Sequence, residues 1–125
     1  MSYSMERGTP TPWGKADKVW DVRRGVWVIK TPTHGGIAVH KELTAALSPA
    51  AAHRAQVLGD YLFYERDYDW AIPVFDLRLY TDIQLVWPEV SRERVLRTLQ
   101  QWHGDYLYQV APGLFQLTER RVRPA

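Results

Sequence analysis

The chain has 125 residues, with 16 Lys and Arg against 14 Asp and Glu and no cysteine. That length suits one domain burying its own core without staples, and the missing cysteines exclude disulfides, a thiol nucleophile and thiolate metal centres. No apolar run reaches the length of a membrane span and the polar start lacks a signal-peptide core, so a cytoplasmic protein is expected; the pI near 9.0 rests on a formal charge of only +2, weak support for a nucleic-acid partner.

Residues 1–11 are polar and punctuated by Gly8 and Pro10, and read as a flexible arm ahead of a single domain over 12–119 and a basic tail over 120–125. Two β-rich runs, 18–22 and 26–30, flank the turn Arg23-Arg24-Gly25 and predict an antiparallel hairpin. Thr31-Pro32-Thr33-His34-Gly35-Gly36 interrupts it, the paired glycines favouring positive φ, and Ile37–His40 resumes as a third strand. Ala- and Leu-rich stretches at 41–47 and 49–58 predict two short helices or one broken at Pro49, with Ser48 as cap.

Residues 61–64 are aromatic and extended. Asp69 is placed to cap a helix over 70–79, and Pro88 or Ser91 starts another in which Val95, Leu96, Leu99 and Trp102 recur at helical spacing before Gly104 stops it. Runs 106–110 and 114–118 around Ala111-Pro112-Gly113 read as a second hairpin. The sum is an α+β domain: one antiparallel sheet built from N- and C-terminal hairpins, packed with two to four helices.

Candidate chemistry is sparse. His34 beside Gly35 and Gly36 fits a turn histidine or a site where exposed N–H groups meet an anion or carbonyl, but neither Walker nor G-x-G-x-x-G spacing is present. Glu65, Asp67 and Asp69 alternate, so in an extended stretch they share a face and can converge on a cation or a partner; the competing reading is that they serve the N-terminal dipole of the next helix. The four histidines contain no H-E-x-x-H, and His34 pairs with Asp67 or Asp69 only if the fold joins them.

Of the six tryptophans, Trp70 and Trp102 fall on apolar helix faces, and Trp20 and Trp27 are placed to pair across the first hairpin. Trp13 and Trp87, each beside a proline, are the expected exposed anchors. Arg92, Arg94 and Arg97, with Arg120, Arg121 and Arg123 of the tail, form the candidate nucleic-acid contact set. No cofactor and no metal site is implied.

Pro12-Trp13-Gly14-x-Ala16, then Thr31-Pro32-x-His34-Gly35-Gly36-Ile37, then Tyr64-Glu65-x-Asp67-x-Asp69-Trp70-Ala71 resembles a small uncharacterised domain of phage and conjugative-plasmid proteins, over residues 12–75. Arg66 departs from that pattern at a position often acidic, which lowers the local negative charge. The resemblance implies a mobile-element protein and carries no activity with it. The function expected is therefore a small phage or plasmid protein that binds and blocks a host defence complex, such as a CRISPR or restriction nuclease, as a monomer or homodimer. Its contact residues are Trp13, His34, Gly35, Gly36, Glu65, Asp67, Asp69 and Trp87. The alternatives are a metal-assisted enzyme acting on nucleic acid or nucleotide, with His34 as acid/base, and a DNA-binding accessory protein.

Overall fold

In the computed structural model, which describes residues 4–114, a five-stranded sheet lies between a layer of helices and the N-terminal segment. A two-stranded ribbon, β1 (Pro10–Thr11) with β2 (Gly14–Lys15), precedes it. The expected first hairpin forms as β3 (Lys18–Arg23) and β4 (Val26–Lys30), with Gly25 at φ 81° and a bulge between Asp21 and Arg23. β5 (Gly35–His40) follows. A 3₁₀ turn over Lys41–Ala46 leads to α1 (Pro49–His53), capped by Ser48 as its sequence predicts. Then come β6 (Gln56–Leu58) and β7 (Tyr61–Glu65), turning at Gly59 with φ 60°. All neighbours in the order β3-β4-β5-β7-β6 are antiparallel.

Alternation sorts the sheet into two faces. Val26, Val28, Ile37, Val39, Leu62 and Tyr64 face the helices in the main core, while Trp27, Ile29, Ala38 and Phe63 face a smaller cluster completed by Met5 and Trp13. Over the main face lies α2 (Ala71–Asp76), with Ala71 to Phe75 all buried. Next are α3 (Tyr80–Ile83), α4 (Arg92–Trp102) and α5 (Gly104–Val110). Ser91 caps α4 by accepting from the Arg94 N–H at 3.1 Å, and Val95 and Leu99 are its buried residues. Arg23 ties the β3 edge to the helices, donating to Asp82 at 2.6 Å and to the carbonyls of Leu77 and Arg78 at 2.8 and 3.1 Å. Among the described residues no helix is long and apolar enough to cross a membrane.

The α+β class holds, but the sheet is completed differently from the expected plan. Residues 106–110 are helical, because Tyr106 and Leu107, adjacent in sequence, both bury against the core; a strand would turn them to opposite faces. Gly104 opens that helix rather than closing the preceding one. The fourth and fifth strands come instead from 56–58 and 61–65, the first of these being a stretch whose pattern predicted helix. The partner run 114–118 lies, beyond Leu114, outside the described residues. Trp20 and Trp27 do not pair: Trp20 sits opposite Val28 and Trp27 opposite Asp21, so the two rings emerge on opposite faces.

Candidate functional site

The start of β5 and the end of β7 meet because the strands are antiparallel, with Gly36 opposite Glu65. This register brings the 31–34 turn to the Glu65 carboxylate, and His34 Nε2 lies 3.7 Å from Glu65 Oε2. The turn is pinned by the buried Thr31, whose N–H donates to the His34 carbonyl at 2.8 Å and whose Oγ1 accepts from the His34 N–H at 3.0 Å. His34 Nδ1 is 2.8 Å from Thr33 Oγ1, and Trp13 stacks on the imidazole with ring centroids 6.3 Å apart and planes 17° from parallel. The Arg66 N–H donates to the Gly35 carbonyl at 2.8 Å, fixing the other side.

Gly35 and Gly36 are strand residues without positive φ, so they form no anion-binding turn. Gly36 is needed for close approach instead. A Cβ there would strike the Tyr64 carbonyl and come within 2.9 Å of Trp13 Cη2.

Around His34 opens a cleft of about 430 Å³, lined among others by Trp20, Lys30, Thr33, Glu65, Asp67 and Trp87. The Glu65 carboxyl is raised above its ordinary range, chiefly by burial and then by the neighbouring Asp67; His34 pulls it the other way. Arg66 lies 4.3 Å from the Trp87 ring centroid and 3.3 Å from Glu89, forming one wall. The cleft thus joins an imidazole and two carboxylates on aromatic walls, with Lys30 and Arg66 also on its lining.

The acidic trio does not converge as a whole. β7 ends at Glu65 and the chain turns through 66–70, so strand alternation stops before Asp67 and Asp69. Asp69 points to another element: its Oδ1 lies 3.0 Å from the enclosed Nε2 of His103, close enough for an ion pair though not aligned for a hydrogen bond. It supplies no side-chain cap to α2, which starts from Trp70. His34 therefore meets Glu65 rather than Asp69. Among the described residues no three His, Asp or Glu side chains are placed to hold a metal ion.

The aromatic anchors are also redistributed. Trp87 is buried, edge-on to Trp70 at 6.1 Å, and Trp13 is half-buried between His34 and the edge of Phe63. Trp102, expected in the core, is exposed and stacks on Tyr68, because it ends α4 past the buried Val95 and Leu99. That stack had no local signal in the sequence, since its partners are far apart along the chain.

Arg92, Arg94 and Arg97 are all exposed on α4. At about 100° per residue Arg94 and Arg97 share one side of the helix while Arg92 lies well around from them, so the three form no single stripe. Arg120, Arg121 and Arg123 lie outside the described residues.

The family model described as Domain of unknown function (DUF7007) matches residues 6–123. No curated protein and no solved structure matches the chain.

Proposed function

The chain belongs to the DUF7007 family, and on that premise we propose that it is a phage or plasmid protein that binds and blocks a host defence complex, such as a CRISPR or restriction nuclease. The His-Gly-Gly and Glu-x-Asp-x-Asp-Trp-Ala pieces that resemble phage and plasmid domains support the origin. The observation that carries the binding role is the convergence of His34, Glu65 and Asp67 in one open cleft.

Two neighbouring carboxylates, one held above its ordinary range in part by the other, are a pair that an entering ammonium or guanidinium stabilises, Arg66 of the same cleft being committed to Glu89. The partner group is accordingly a Lys or Arg side chain of the defence protein, and the exposed Trp20 wall gives its alkyl stem an apolar surface. A blocker of this kind needs no reacting group: occupying a basic surface that its target uses for nucleic acid is sufficient.

Cells that carry a defence system and express the chain are expected to admit phage or plasmid DNA that the system otherwise destroys. Cells expressing the Glu65→Gln, Asp67→Asn double variant are expected to exclude it. Unchanged exclusion by every system in a panel would count against the proposal.

A further inference from the structure

The register of the first hairpin sets two lysines against each other: Lys18 lies directly opposite Lys30 across β3 and β4. Both are exposed, and among the described residues neither forms an ion pair. Like charges directly opposite one another on a sheet repel, so this pair is an unanswered double positive charge placed by strand pairing. The same face carries Trp20, which sits opposite Val28 one repeat further along β3. Its ring is exposed, β3 is an edge of the sheet, and among the described residues no other ring stacks on it.

The chemistry of the three side chains indicates what fits them. Two ammonium groups side by side hold one phosphate between them, each donating to its oxygens. An indole offers a base a flat stacking surface. One repeat along a strand is about 7 Å, a separation that a single nucleotide bridges from phosphate to base. The Glu65 carboxylate does not cancel this charge. Alternation along β4 and β7 turns Lys30 to the side of the sheet that Val28 faces, and Glu65 to the side that Phe63 faces. Although both line the cleft, their strands are also two apart in the order β4-β5-β7, roughly 10 Å, which exceeds the screening length of about 8 Å at physiological salt.

We propose that Lys18, Lys30 and Trp20 form a nucleotide-binding surface, with a phosphate held between the two ammonium groups and its base lying on the Trp20 indole. The ligand is a free nucleotide or one unit of a single-stranded nucleic acid, and the recognising chemistry is the same for both. The surface does not rest on the cation-binding role proposed for Glu65 and Asp67, and it takes a ligand of opposite charge.

The test is calorimetric titration of the full chain, at low salt, with thymidine monophosphate, an oligothymidylate and inorganic phosphate. At least one of the two nucleotide ligands is expected to bind, more tightly than inorganic phosphate and less tightly as salt is added. Tighter binding of the oligonucleotide identifies a strand as the ligand, and equal affinity per site a free nucleotide. Lys18→Ala and Lys30→Ala, each checked for folding by circular dichroism, are expected to weaken binding roughly fivefold or more, and Trp20→Ala roughly tenfold. Lys41→Ala, which removes a lysine paired with Asp60, is expected to leave it unchanged. Glu65→Gln with Asp67→Asn, the variant expected to lose the defence partner, is expected to keep nucleotide binding, and the lysine variants to keep that partner, so either reading can fail alone. No binding of either nucleotide ligand, equal binding of inorganic phosphate, loss of nucleotide binding in the Glu65→Gln, Asp67→Asn variant, or indifference to the Lys18, Lys30 and Trp20 substitutions would overturn the proposal.

Discussion

His34 Nε2 and Glu65 Oε2 lie 3.7 Å apart across two neighbouring strands, a contact set by the pairing of Gly36 with Glu65 in β5 and β7. Nothing local to either segment produces it. It follows from the strand register, and it places a titratable ring against a partly desolvated carboxyl group.

That carboxyl group makes stability depend on pH. Glu65 is raised in the fold, first by burial and then by Asp67, so its contribution is fully present below the unfolded carboxyl pKa, about 4.3, and is lost as pH rises through the folded value. At neutral pH the fold therefore carries the cost of ionising Glu65. Glu65→Gln is expected to unfold at higher urea than the parent at pH 7, with the gap closing at pH 4. A gap that widens on acidification would reverse the sign of this argument.

The close approach at Gly36 predicts a steric penalty. Alanine there meets the Tyr64 carbonyl, which belongs to the adjacent strand and cannot rotate away, and the Trp13 ring. Gly36→Ala is expected to cost about 1–3 kcal/mol. Gly35→Ala, whose nearest obstacle is the Ile29 carbonyl at 3.2 Å, should cost less. Thermal unfolding of the two variants side by side gives the order directly.

Much of the fold was legible and the contacts at the site were not. The hairpin over 18–30 announced itself by two β-rich runs around Gly25, and Ser91 marked its helix by cap and spacing, because both signals are local. Tyr106–Val110 misled because its alternating tyrosines mimic a strand, and only packing against α1 and α4 selects the helix. Trp87 was misplaced for a related reason: a flanking proline suggests a loop, while burial depends on Trp70 arriving from another element. The meeting of His34 with Glu65, and of Asp69 with His103, needed the register and the helix layout, which no single segment encodes.

A half-buried polar junction predicts a different loss. Asp76 accepts from the Ser48 N–H and Oγ at 2.7 and 2.8 Å and from Tyr106 Oη at 2.7 Å, joining α1, α2 and α5. Burial, then the bond to Asp76, pushes the Tyr106 phenol far up, so it stays a donor at any working pH. Asp76→Ala leaves these donors unmatched and is expected to cost about 1–3 kcal/mol. Tyr106→Phe, which removes one donor and leaves two on Asp76, is expected to cost less. Urea unfolding of both variants tests the order, and equal losses would deny Asp76 its role as the shared acceptor.

The central claim is that the cleft binds a basic group on a host defence complex. Its most direct test is to mix the purified chain with each of a panel of CRISPR and restriction nuclease complexes, follow co-elution, and titrate any pair that forms. The predicted result is a stoichiometric complex with at least one of them, weakened roughly tenfold or more by Glu65→Gln with Asp67→Asn. A complex with none of the panel, or one whose affinity the double substitution leaves unchanged, would contradict it.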